Sequence, residues 1–445
     1  MSTPRTISSA DPVSPATERM LGLSDALFGI AITFLALDFG SKMPDSVAEV
    51  DDYLLDHISE YLAYVFSFLV VGFQWWRHHL VFRFIKQRNN VLLLLNTTLL
   101  AFVALTPFGT VVLGNGIGSP ICLAFFAGLM VCIGVLLWII WEYALRHQLT
   151  IPDLDRKVAV HMRIQLLVMP GCFLLIMGSA TLAGTMGWHH DGLGLLLLLV
   201  LLSVLASKFF PSPSVGVIER EIESARDVDR KKAERSMLDR LRSGTRSERL
   251  TVFTDGIFAV ALTILALRLS PPHDALSSGS DLMTMVSANS AALFSYFITF
   301  YVLSEQWMRH VRLFDRNVLA DTGMLWINLV LLMFVAFMPF ATELTTDPGG
   351  RTAVLLYLCV LTTATLTQMA MEIYAGSRIA SPKGPTDDAL VLNLRVRRWG
   401  VILVLMLCLT LGITMPTPET GLYALLLFPG LDPLSRLIAP VPGRK

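Results

Sequence analysis

Residues 17–37 read TERMLGLSDALFGIAITFLAL, and residues 247–267 read SERLTVFTDGIFAVALTILAL. The two stretches match position by position. Arg19 falls on Arg249, Ser24-Asp25 on Thr254-Asp255, Phe28 on Phe258, Thr33 on Thr263 and Leu37 on Leu267. Each places an arginine and then an aspartate at the start of a helix otherwise apolar enough for a bilayer. The same buried polar groups are built twice in one chain.

The composition names the solvent. The chain has 445 residues, 54% of them hydrophobic and 16% charged. A soluble domain carries about 25% charged residues, so this one lacks the polar groups to coat itself with water. The first 16 residues are polar and hold no apolar core of a secretory signal. The five cysteines lie in apolar runs without a C-x-x-C pair, which marks packing or lipid-facing residues rather than a metal or redox site.

A bilayer core takes about 20 mostly apolar residues per helix. Such spans fall near 20–38, 61–82, 91–113, 120–145, 164–186 and 193–210, then near 250–268, 291–311, 324–342, 351–376, 397–415 and 420–438. The expected fold is an all-α membrane protein of twelve transmembrane helices in two six-helix sets. The expected organisation is a tail (1–18), a first repeat (19–210), a charged linker (211–246), a second repeat (247–438) and a tail (439–445). Basic residues set the orientation. They crowd the loops WWRHHLVFRFIKQRNN, RHQLTIPDLDRK and QWMRHVRLFDRN and the segment around Arg395, Arg397 and Arg398. The opposite side holds only Lys42, Arg268 and Arg351 of the 35 basic residues. Both termini and the linker are therefore expected in the cytosol.

The repetition continues past the first helix. QWWRHH (74–79) matches QWMRHV (306–311), and LTPFGT (105–110) matches FMPFAT (337–342). Asn96 matches Asn328, Glu142 matches Glu372, and Arg163 matches Arg395. Six is even, so both sets enter from the same side as parallel repeats, related by an axis along the membrane normal. That symmetry suits a central pore or the paired halves of a transporter.

On the first helix, positions spaced i, i+3, i+4 and i+7 share a face. Ile30, Thr33, Phe34 and Leu37 form such a stripe, matched by Val260, Thr263, Ile264 and Leu267. Each stripe is apolar with one hydroxyl, which on an isolated helix bonds back to its own backbone. Ionisable groups at membrane depth face protein or water. Asp25 and Asp255 could instead cap a helix end, but that leaves a short span. A helix running from the arginine sets the aspartate about 9 Å deeper, where an arginine or histidine of another helix, such as His78 or His310, would meet it.

The pattern R-x-x-x-[aromatic]-S-D opening the first helix resembles the signature of the transmembrane protein 175 family, potassium-permeable channels of endosomes and lysosomes with prokaryotic relatives. Arg19, Ser24 and Asp25 carry it, as do Arg249, Phe253, Thr254 and Asp255, joined by Trp75/His78 and Trp307/His310 and by the helix-3 Asn and Pro-Phe. Leu23 replaces the aromatic in the first copy, and Thr254 replaces serine in the second. The resemblance implies four repeats around one pore, hence a homodimer of this chain, with the first helix of each repeat lining it. It implies a hydrophobic gate at Ile30 and Val260, continued by Leu37 and Leu267, and a potassium preference tied to Thr33 and Thr263. It implies that the motif Arg and Asp hold helices together, and some relatives pass protons, for which the aspartate is a candidate. It places the protein in the plasma membrane if prokaryotic and in endosomes or lysosomes if animal.

No TVGYG-type loop is present, so a carbonyl filter is not available, while four Ile or Val side chains can close a pore by dewetting. Asp45, Glu49, Asp51, Asp52 and Asp56 would concentrate cations at its mouth. The competing expectation is a secondary transporter built from two six-helix halves. Pro107, Pro339 and Pro170-Gly171 would interrupt its helices, but no matched pair of midplane carboxylates accompanies them. Glu142 and Glu372 lie near the cytosolic end of helix 4, where a snorkelling or capping role is expected. Nothing points to an enzyme: His189-His190-Asp191 has no copy in the other repeat, and no H-E-x-x-H, G-x-S-x-G or P-loop string occurs. Potassium ions and lipid are the expected partners, with no cofactor, metal or nucleic acid.

Overall fold

The computed structural model describes residues 15–185, 245–267, 290–314, 321–376 and 385–427, apart from positions 38, 40–42, 45, 116–118, 151–153, 155, 347 and 419. The expected sixth span (193–210), most of the linker, His189-His190-Asp191 and the C-terminal tail lie outside these residues. So do the side chains of Arg395, Arg397 and Arg398.

The described chain is helical. α1 is Pro15–Phe34, α2 Val50–Asp56, α3 Ile58–Phe82, α4 Asn90–Ala104, α5 Thr106–Asn115, α6 Pro120–Arg146 and α7 Arg156–Thr185. α8 is Thr245–Leu267, α9 Ser290–Phe314, α10 Thr322–Leu344, α11 Arg351–Gly376, α12 Pro385–Thr414 and α13 Thr420–Tyr423. Among the described residues the one β contact is an isolated antiparallel bridge between Ile85 and Thr150. Among the described residues, seven helical segments are long and apolar enough to cross a membrane: Ile58–Phe82, Asn90–Gly114, Pro120–Arg146, Val158–Leu182, Arg249–Leu267, Gly323–Leu344 and Arg351–Gly376. The chain is an integral membrane protein.

Two compact units divide the chain, and each borrows from the other's end of the sequence. One comprises residues 1–35 and 58–253, the other residues 36–57 and 254–445. The first unit packs α6 along α7 and α4, and α3 along α5 and α1. Its core holds Phe28, Phe68, Trp75, Phe126, Trp141 and Phe173, each fully buried. The second packs α10 along α11, with α12 and α9 against them. Phe258, Leu329, Phe340, Tyr357 and Leu361 fill its core.

Helix starts are specified locally. Asn89 accepts the Leu92 amide at 2.9 Å, and Asp321 accepts the Met324 amide at 2.9 Å, so α4 and α10 begin with the same cap. A tyrosine hydroxyl bonds each capping residue, Tyr143 on Asn89 and Tyr374 on Asp321. The single span expected near 91–113 departs from this plan and divides at Leu105 into α4 and α5. Pro107 has no N–H for the Val103 carbonyl, and the Thr106 hydroxyl takes that oxygen at 2.7 Å. In the second unit Met338 replaces the threonine, and α10 runs unbroken through Pro339. The last expected span, 420–438, begins as the single turn α13 and a 3-10 turn at Ala424–Leu427. α7 and α12 start earlier than expected, at Arg156 and Pro385. The five cysteines are free.

The turn before α11 depends on glycine. Gly349 and Gly350 have φ of 78° and 95°, and a Cβ on Gly350 would lie 2.4 Å from Val47 Cγ1. Gly350→Ala is expected to destabilise the protein by about 1–3 kcal/mol, read as a lowered melting temperature of the detergent-solubilised chain, while Gly256→Ala, inside α8 where a Cβ meets open space, is expected to stabilise it by about 0.5–1 kcal/mol.

Candidate functional site

Asp25 lies inside α1, in its third turn, and is 1% exposed. It is no helix cap. A carboxylate so placed must be paired and hydrogen-bonded. The cation is Arg249, the motif arginine of the second copy, which belongs to the same unit as Asp25. Arg249 Nε donates to Asp25 Oδ2 at 2.8 Å and Nη2 donates to Oδ1 at 2.5 Å. This two-pronged geometry is the strongest form of such a pair. Trp75 Nε1 adds a third donor to Oδ1 at 2.9 Å. The Trp75 ring stacks on Phe253, the motif aromatic, with centroids 4.0 Å apart and planes 13° from parallel.

His78, expected to meet the aspartate itself, sits instead against the arginine that pairs with it. Arg249 Nη2 lies 3.3 Å from His78 Nδ1. Arginine only donates, so Nδ1 is the acceptor and the ring proton resides on Nε2. That proton goes to Asn96 Oδ1 at 2.9 Å. Asn96 Nδ2 then donates to Ser24 Oγ at 3.0 Å, and Ser24 Oγ donates to the Met20 carbonyl at 2.9 Å. The order Asp25–Arg249–His78–Asn96–Ser24 returns to α1 one residue from where it began. Geometry alone fixes the tautomer, and a proton on Nδ1 would point at the guanidinium. Phe28 and Phe82 close over the imidazole at 5.6 and 4.4 Å. Asn96 was visible in the sequence as a matched residue, but its place in this circuit was not.

The second set reproduces half of the arrangement. Trp307 Nε1 donates to Asp255 Oδ1 at 2.7 Å, and Asn328 Nδ2 donates to Thr254 Oγ1 at 2.9 Å. Asp255 is half-buried and takes no arginine among the described residues. His310 is buried, and its Nδ1, the atom that faces the arginine in the first set, has no hydrogen-bond partner among the described residues. Arg19 is exposed, as is Leu23 at the aromatic position of the first motif. Trp307 is 38% exposed, whereas Trp75 is fully buried.

The apolar stripe comes out differently from the one drawn on the sequence. Leu23, Ile30 and Phe34 form the exposed line of α1, and Leu37 extends it past the helix end. Thr33 lies off that line, 1% exposed, with its hydroxyl on the Gly29 carbonyl at 2.7 Å. On α8, Thr263 and Leu267 are exposed and Val260 is half-buried. The Thr263 hydroxyl bonds back to Val260 at 2.8 Å. Glu142 and Glu372 neither snorkel nor cap. Glu142 pairs with Arg163 and Glu372 with Arg309.

An apolar helix anchored at its polar end by a buried ion pair, inside a bundle of membrane-length helices, marks an integral membrane protein. Residues 19–107 and 249–339 match the family described as endosomal/lysosomal potassium channel TMEM175. A potassium channel of Streptomyces collinus is 32% identical over 152 residues, 33% of this chain and 74% of that one. The endosomal/lysosomal proton channel TMEM175 of Gallus gallus is 24% identical over 352 residues, 74% of this chain and 67% of that one. A potassium channel of Chamaesiphon minutus is 28% identical over 113 residues, 24% of this chain and 56% of that one. The chain belongs to the TMEM175 family of ion channels.

Arg249→Gln leaves Asp25 as a buried charge without a cation and is expected to cost about 3–5 kcal/mol. Adding Asp25→Asn should recover much of that loss, and Arg249→Lys only part, because an ammonium cannot grip both carboxylate oxygens. A double-mutant cycle on thermal unfolding reads all three.

Proposed function

We propose that the chain is a potassium-permeable cation channel, built from two parallel six-helix repeats, whose central pore is lined by α1 and α8. The observation that carries this is the half-finished second site. Asp25 has an arginine from the other repeat, while Asp255 and His310 await one and Arg19 stands exposed. A second copy of the chain supplies the missing Arg19, and the same contact repeated closes a ring of four repeats, as a homodimer does about a two-fold axis. Leu23 of that copy would then lie on Trp307, in the role Phe253 plays on Trp75.

A ring closed through the first helices turns their exposed apolar line toward the axis. Ile30 and Phe34 of α1 are 41% and 40% exposed, and Leu267 of α8 is 79% exposed. Ile30 and Val260 form the hydrophobic gate, which opens by wetting, with Leu37 and Leu267 as further constrictions. Thr33 and Thr263 tune cation preference from behind and beside that line. The relatives named as potassium and as proton channels support a cation pore and leave room for proton passage, with Asp25 and Asp255 on its path. Both termini face the cytosol in this arrangement.

The test is electrical. Purified protein in planar bilayers, with potassium on one side and sodium on the other, should give a potassium-shifted reversal potential. Ile30→Asn/Val260→Asn should pass roughly ten-fold more current, as expected when a dewetted constriction is hydrated. Intact protein silent in both forms would sink the channel reading. The mass in detergent, corrected for bound detergent, should be twice the chain's 49.2 kDa, and Arg19→Glu should reduce it to one chain.

A further inference from the structure

Gln74 and Arg77 of α3 match Gln306 and Arg309 of α9, and in each set the two side chains share a helix face. In the second unit both find an acceptor on α11. Gln306 Nε2 donates to Thr365 Oγ1 at 3.2 Å, and Arg309 Nε and Nη2 reach Glu372 Oε1 at 3.0 and 2.9 Å. In the first unit neither acceptor serves them. Counting from the matched glutamates, Val135 of α6 takes the place of Thr365 and offers no hydroxyl. Glu142 gives both of its oxygens to Arg163 of α7.

Arg77 is 4% exposed and has no carboxylate partner among the described residues. Its guanidinium donates to Gln74 Oε1 at 2.9 Å and to the Leu166 carbonyl at 2.5 Å, and meets Met169 Sδ at 3.4 Å. An amide, a carbonyl and a thioether carry no charge. The buried acids Asp25 and Glu142 of this unit are already matched by Arg249 and Arg163. Arg77 is a positive charge in excess, enclosed in a bundle of membrane-length helices, where an unpaired ion is strongly disfavoured.

The groups left over near it are donors. Arginine only donates, so Gln74 must turn Oε1 toward it and its NH2 away. Gln74 is 1% exposed, and that Nε2 has no acceptor among the described residues. On α6, Gly134, Trp138 and Glu142 follow one another four residues apart along one face. Gly134 packs on the ring of Pro170 and Glu142 meets Arg163, which sets Trp138 between them, at the level of Leu166. The Trp138 indole N–H is enclosed and has no acceptor among the described residues either. A surplus cation beside N–H groups that want acceptors is the chemistry of an anion site.

We propose that the first unit binds a small monovalent anion of the halide class at Arg77 and Gln74, in the part that Glu372 and Thr365 play in the second unit. One positive charge is in excess, so one negative charge balances it. The enclosure of both side chains excludes a lipid phosphate and a peptide carboxylate, while a halide accepts several N–H groups with little demand on direction. The site stands on contacts within one unit and is independent of which cation the channel carries.

The test is thermal unfolding of the full-length protein in detergent, in sodium chloride and in sodium gluconate at equal ionic strength. The native protein should melt about 3 °C or more higher in chloride, with a rise that saturates as one site does, and bromide should act in the same way. Arg77→Gln should remove the difference between the salts. Gln74→Leu keeps the charge, takes away the amide donor and should raise the half-saturating chloride concentration about ten-fold. Val135→Thr, which offers Gln74 the hydroxyl of the second unit, should raise it as well. These two variants carry the test if Arg77→Gln does not fold. Crystals grown in bromide should show its anomalous signal within hydrogen-bond reach of Arg77 and Gln74. Equal melting of the native protein in chloride and gluconate overturns the proposal. A chloride effect that Gln74→Leu and Val135→Thr both leave intact, or bromide found only elsewhere, means an adventitious ion only and overturns it too.

Discussion

A buried carboxylate sets the terms for the first unit. Asp25 is almost wholly out of solvent, and removing its cation would cost about 3–5 kcal/mol, a large share of the roughly 5–15 kcal/mol that keeps a protein folded. Everything around it answers that demand: a bidentate arginine, an indole N–H, and then the groups that the arginine itself must satisfy. Once Arg249 grips Asp25, its second Nη2 hydrogen goes to His78, which makes His78 an acceptor on that side and a donor on the other, while Nη1 has no partner among the described residues. Asn96 and Ser24 follow by the same logic. One charge at membrane depth therefore determines a helix pairing, a tautomer and the orientation of an amide.

Much of this was legible before any coordinates. The doubled motif named Arg19, Asp25, Arg249 and Asp255, and the matches at Trp75, His78 and Asn96 pointed to the right neighbours. That the helix runs through the arginine rather than beginning at the aspartate followed from the length a span requires. The partner of the aspartate did not. Nothing in local sequence says that the first copy's acid takes the second copy's arginine, because the choice is made by tertiary packing across most of the chain. Burial was equally hidden. Thr33 and Thr263 are identical in sequence, but one is enclosed and the other open. The stripe drawn through Thr33 was off by one position, Leu23 taking its place in the exposed line.

The glutamates show a different kind of illegibility. Near helix ends, snorkelling is a fair expectation for a lone acidic side chain, and here each acid found an arginine three dimensions away. A proline can act through a missing hydrogen rather than a contact: Pro107 leaves the Val103 carbonyl without an N–H, a neighbouring threonine absorbs it, and the helix divides. Prolines at matching places gave a broken helix in one unit and a continuous one in the other. The outcome depended on whether a hydroxyl stood next to the gap.

The 224 residues that separate Asp25 from Arg249 also impose a schedule. A ribosome adds about 5–20 residues per second, so the acid enters the bilayer roughly ten to forty-five seconds before its cation has been made. For that interval the helices made first hold a carboxylate whose counter-charge has not yet been synthesised.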